Sequence, residues 1–112
     1  MQKYLPRNIR KEIINKLFKK YVSTDEISIS NELYLSTNNI LEMHEFGMDF
    51  GCHTHTHPWL DMLSASEQEV EIMKSINIFQ KIGLKNSQLS MCYPYGCYTN
   101  ETLNILCKND ID

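Results

Sequence analysis

No Cys-x-x-Cys spacing, no internal repeat and no apolar run near the ~20 residues of a membrane span occur in this 112-residue chain. The missing Cys pairs argue against the usual zinc-ribbon and dithiol frameworks. Cys52, Cys92, Cys97 and Cys107 therefore read as reduced thiols of a cytoplasmic protein. The N-terminus also lacks the apolar core of a secretory signal. Only four glycines and three prolines are present, which excludes collagen-like and low-complexity classes. With 42% apolar and 22% charged residues, the composition is that of one small globular domain.

What the chain does have is histidine in one place. Three of its four histidines fall within five positions, in Gly51-Cys52-His53-Thr54-His55-Thr56-His57-Pro58-Trp59-Leu60. His53 and His57 stand four apart, and in a helical turn that spacing would put both rings on one side. Such a cluster is either a solvated loop or a pair of imidazole ligands, which can fill two corners of a tetrahedral site and need a third ligand from elsewhere. The flanks favour the second reading. Upstream, residues 46–52 mix apolar side chains with Gly47 and Gly51, as a short buried strand would. Downstream, Pro58 stops regular structure and Trp59 and Leu60 supply apolar anchors. The histidines then lie at the C-terminal end of a strand, where α/β folds place their sites.

A second stretch, Leu89-Ser90-Met91-Cys92-Tyr93-Pro94-Tyr95-Gly96, reads as an apolar strand running into a turn. Pro94 biases Tyr93 towards extended geometry, and Gly96 permits a sharp bend. Turns of this kind can aim a backbone N–H at developing negative charge, although most Pro-x-Gly turns are loop punctuation.

Taken in order, the two stretches resemble the polysaccharide deacetylase family, or NodB homology domain (carbohydrate esterase family 4). His53-Thr54-His55-Thr56-His57 matches its His-Ser/Thr-x-x-His motif, and the helix opener Leu63-Ser64-Ala65-Ser66-Glu67 follows in the expected place. Cys92-Tyr93-Pro94-Tyr95 matches its Arg-x-Pro-Tyr/Phe motif in part, with Cys92 in the arginine position. The likeness covers roughly residues 36–109. It implies a metal-dependent hydrolase of non-peptide C–N bonds acting on N-acetylated carbohydrate. Carried over residue by residue, it makes His53 and His57 ligands of a divalent metal, zinc by preference. It makes the Tyr95 N–H an oxyanion donor, and Thr54 and Pro94 residues that shape the substrate loop. The two imidazoles should then face one another beside the Pro-Tyr turn.

The family's Asp-Asp motif, source of the third ligand and the general base, has no match here. Only Asp25 and Asp49 precede His53. Asp25 lies in Ser23-Thr24-Asp25-Glu26, which reads as a turn or helix cap, and Asp49 sits within the expected strand. The later motif that supplies a catalytic histidine is also absent. A (β/α) barrel of this type takes much of ~250 residues. The expected fold is therefore α/β, a partial NodB-type (β/α) barrel missing its first and last strands. A second chain would supply the missing strands, and the fragment would be inactive alone.

Strands are expected at about 48–52 and 88–92, with a doubtful third near Ile27–Ile29. Residues 1–22 hold seven basic side chains against Glu12, giving +6, and the remainder four against thirteen, giving −9. Ile9, Ile13, Leu17 and Tyr21 recur every fourth position in this basic segment. A surface helix packed on a core explains that pattern without a membrane or nucleic-acid partner. Residues 1–35 form this helix and a linker, and 36–112 the deacetylase-like portion. Helices are expected after Ser36, with His44 as a surface or helix-end residue. Others follow Ser64, with Val70, Ile72, Met73, Ile76 and Phe79 inward, and Thr99 or Asn100. Two further readings remain: a non-catalytic remnant that binds a partner or sugar, and an unrelated zinc module using His53, His57 and Cys52 or Cys97.

Overall fold

The computed structural model describes residues 2–84 and 89–111. Its helices are α1 (Arg7–Tyr21), α2 (Glu26–Leu33), α3 (Thr37–Glu45), α4 (Ala65–Lys81) and α5 (Asn100–Lys108), with single 3₁₀ turns at Gln2–Tyr4, Leu60–Met62 and Pro94–Gly96. The chain divides into two compact units, 1–39 and 40–112. No helix among the described residues is long and apolar enough to cross a membrane.

Short polar side chains start most of these helices. Asp25 caps α2 by accepting the Ser28 N–H at 3.0 Å. Ser36 and Asn39 bond each other's backbone N–H at the start of α3. Ser64 and Glu67 close a capping box on α4, and Thr99 and Thr102 do the same on α5. Three helices also end alike. The N–H of Met48 reaches the Met43 carbonyl, that of Leu84 reaches Phe79, and that of Ile111 reaches Leu106. Each is the six-to-one bond of a Schellman motif, with Gly47, Gly83 and Asp110 in the left-handed position.

The first unit is thinly packed: neither α1 nor α2 has a buried residue. Ile14, Phe18, Ile29 and Leu33 line a shallow groove of about 270 Å³ between the two helices. The doubtful strand near Ile27–Ile29 is corrected here, because those residues lie inside α2. Alternating Ile and Ser imitates a strand, but the Asp25 cap starts a helix instead.

The second unit holds the core. Cys52, Leu60, Ile72, Ile76, Leu89, Met91, Ile105, Leu106 and Ile111 are buried together, with Met73 and Phe79 packed against them. Val70, expected inward, is exposed. The buried stripe of α4 runs through Gln68, Glu71, Ile72, Ser75 and Ile76, a spacing that matches one helical face. Its polar members are bonded. Gln68 takes the Thr102 hydroxyl and donates to the Leu63 carbonyl and Thr99, joining α4 to α5.

The partial (β/α) barrel is not what forms. Among the described residues there is no strand, only one isolated parallel bridge between Cys52 and Met91. The Cys52 N–H donates to the Ser90 carbonyl at 2.7 Å, and the Cys92 N–H donates to the Cys52 carbonyl at 2.9 Å. The ladder stops there for local reasons. After Cys52 the chain turns into left-handed geometry at Thr54, and after Tyr93 comes Pro94, which has no N–H to donate. Among the described residues neither segment has a second bridge partner, and two segments alone do not make a stable sheet.

Gly51 is what lets the segments approach. A Cβ there would lie 2.9 Å from Ser90 Oγ and 3.0 Å from the Ser90 carbonyl oxygen. Gly51→Ala should therefore push the segments apart and destabilise the chain by about 1–3 kcal/mol. Urea unfolding followed by circular dichroism measures this, and an unchanged midpoint would show that the approach is loose.

Candidate active site

The bridge at Cys52 carries the two sequence stretches into contact, and a side-chain bond continues its register. His53 Nδ1 lies 2.7 Å from the Cys92 carbonyl oxygen. A carbonyl can only accept, so Nδ1 carries a proton, and in the neutral ring Nε2 keeps its lone pair. That is the tautomer a metal ligand needs, held by the kind of backbone partner that usually orients one.

His57 comes back to His53 without a helical turn. Residues 53–57 form a bend in which Thr54 has φ 64° and His57 φ 54°. Left-handed geometry in such residues costs about 1–3 kcal/mol each, so other contacts must hold it. One is the Thr54 hydroxyl, which accepts the His57 N–H at 3.1 Å. Another lies beyond the loop, where Pro58 and Leu60 are buried. The two imidazole centroids end 4.7 Å apart with planes inclined by 66°. Both rings are exposed.

The Pro-Tyr turn stands beside them. The Gly96 N–H donates to the Tyr93 carbonyl at 2.9 Å, and the Cys97 N–H to that of Pro94 at 3.1 Å. Pro94 is buried, and Tyr95 takes φ 58°. The Tyr95 ring meets His57 edge to face at 4.7 Å and stacks on Trp59 at 3.9 Å, with the planes 8° apart. Such stacking supplies contact area that holds a strained turn in place. His53, Thr54, His57, Pro94 and Tyr95 thus fall in one neighbourhood.

Two imidazoles so arranged suit two positions of a divalent metal. The set is not completed: among the described residues, no three His, Cys, Asp or Glu side chains converge. Asp25 is occupied as the α2 cap, and Asp49 is exposed and belongs to no such group. The unrelated zinc module gains no support from this geometry, since among the described residues neither Cys52 nor Cys97 forms such a group with the histidines. Cys52 is buried on the core side, because successive extended residues point to opposite faces. Burial pushes its thiol above the ordinary value, an effect that a hydrogen bond with Ser75 partly offsets. A neutral thiol in apolar surroundings is a poor ligand and a poor nucleophile.

One residue in contact with the site escaped the sequence reading. Glu71, a buried carboxylate of α4, reaches the backbone of the loop between the histidines. The signal was available: position 71 falls on the stripe of Ile72 and Ile76, where a charge must find partners.

Thiol labelling should reflect this layout. At neutral pH, iodoacetamide should modify the exposed Cys92 and Cys107 in the folded chain and Cys52 only after denaturation. Peptide mapping of the alkylated sites reads the outcome, and rapid native labelling of Cys52 would contradict its buried placement.

Known proteins resemble this chain in sequence and in fold. The structure of the Streptococcus pyogenes deacetylase PplD, in complex with acetate, is similar with a TM-score of 0.64 and 27% identity, over 87% of this chain and 46% of that chain. The chain thus spans less than half the length of that protein. No curated protein matches. A family model described as polysaccharide deacetylase matches residues 8–112, which extends the likeness upstream through α1. The chain belongs to the polysaccharide deacetylase family.

Proposed function

We propose that this chain carries the histidine half of a hydrolytic centre that removes acetyl groups from N-acetylated sugars. His53 and His57 hold one divalent metal, with zinc the ion that best suits paired neutral imidazoles. Such a metal lowers the pKa of its water towards ~7 and polarises the amide carbonyl. The chain's own residues supply the rest of the positioning. Thr54 keeps His57 turned towards His53, and Pro94 sets the turn that presents Tyr95. The Tyr95 N–H is not used by the two bonds that close the turn, which Gly96 and Cys97 donate. It serves as a donor to the oxygen that gains charge when the amide is attacked. A carboxylate ligand and a general base come from another segment or from a second polypeptide that also adds strands. The chain by itself does not turn over substrate.

The observation that carries this reading is the His53 Nδ1 bond to the Cys92 carbonyl, which in the neutral ring leaves Nε2 as the nitrogen open to a metal, next to His57. Calorimetric titration with zinc should give one site per chain. His53→Ala and His57→Ala should each weaken it by about tenfold or more. Unchanged affinity in both variants would defeat the metal assignment. The wild-type chain, supplied with zinc and an N-acetylglucosamine oligomer, should release no acetate, and measurable release would refute the need for an outside carboxylate.

The incomplete ligand set favours one alternative, a remnant that binds sugar without hydrolysing it. Trp59 is the chain's single tryptophan and stacks on Tyr95, so its fluorescence reports that question directly. Quenching by the oligomer in a chelator, with no zinc binding, would support the remnant.

A further inference from the structure

The geometry assigns Glu71 the part of a positioning residue, one that holds the loop between the histidines so that His57 returns to His53. This inference deepens the proposed metal reading and rests on it only for its functional consequence. Glu71 Oε2 accepts two consecutive backbone N–H groups, that of His55 at 3.1 Å and that of Thr56 at 2.7 Å. Oε1 accepts the Thr56 hydroxyl at 2.7 Å. Both oxygens of a buried carboxylate are thus engaged by the two residues that lie between Thr54 and His57.

The chemistry makes the choice of residue specific. An ionised carboxylate offers acceptors only, and the His55 N–H, Thr56 N–H and Thr56 hydroxyl all donate to it. Hydrogen bonds to a charged acceptor are also the stronger kind. A carboxamide of the same size would turn an NH₂ against one of these donors, and aspartate is one methylene shorter. The backbone needs this anchor. Thr54 and His57 are both left-handed without being glycine, and the Thr54 hydroxyl joins them within the loop by one bond to the His57 N–H. Glu71 is in turn fixed by α4, whose neighbours Ile72 and Ile76 are core residues. The carboxylate therefore transmits the placement of α4 to His57 through the backbone of His55 and Thr56.

The test compares Glu71→Gln with the wild-type full chain in two readouts. Without metal, nuclear Overhauser effects between the His53 and His57 rings should be present in the wild type and absent in the variant. Zinc affinity should fall at least tenfold in the variant, as expected when a group that orients ligands is lost. Helix content by circular dichroism should be retained. Ile76→Val, a one-methylene core change that leaves the carboxylate in place, should reduce stability while leaving both readouts as in the wild type. If Glu71→Gln does not fold, Thr56→Val decides, since it removes one of the three donors and should weaken the ring contacts and the zinc affinity. Ring contacts that persist in the variant, or an Ile76→Val that abolishes them equally, would overturn the inference. Failure of the wild type to bind zinc would count against the proposed function alone, because the ring contacts are read in its absence.

Discussion

Everything near the candidate site depends on the register of Cys52 against residues 90–92. Two backbone hydrogen bonds set it, one given by Cys52 to Ser90 and one received from Cys92. The His53 ring then extends the same pattern to the Cys92 carbonyl. A slip by one residue would exchange the faces of the extended chain, sending His53 into the core and Cys52 to the surface. Gly51 and Ser90 are close enough that only a residue without a Cβ allows this approach. The orientation of the His53 ring is therefore a consequence of backbone pairing, and among the described residues the pairing is a single bridge.

So short a bridge needs support, and α4 provides it. Ile72 and Ile76 bury it from one side, while Gln68, Glu71 and Ser75 each meet a different polar demand. Gln68 ties α5 through Thr102, Ser75 meets the Cys52 thiol, and Glu71 meets the histidine loop. Buried polar groups left unsatisfied would weaken the core, whereas satisfied ones specify one arrangement of it. The helix that looks like plain packing in the sequence is also the frame of the site.

Helix boundaries in the second unit were legible because they rest on local chemistry. Ser64 and Glu67, or Thr99 at the start of α5, bond within a single turn, so their signals need no tertiary partner. Strands were not legible in the same way, since a strand exists only through its neighbours. Residues 48–52 and 88–92, of which 88 lies outside the described residues, have the right apolar character, and the described ones pair at one position only. In α2 the opposite happened: alternating Ile and Ser imitated a strand while the Asp25 cap, local again, started a helix.

The sequence by itself determined the family, the two motifs and the identity of the paired imidazoles, because these are properties of residue type and order. It also determined that no aspartate pair is at hand. Only the tertiary structure decided that the histidines meet through a left-handed bend, where a helical turn had been the simple expectation. Only the fold showed which His53 nitrogen is open, and that Glu71 holds the loop. Those facts depend on contacts between residues 15 to 39 positions apart, such as Glu71 with Thr56 and His53 with Cys92. Local spacing carries no information about such distances, which are fixed only when the core closes.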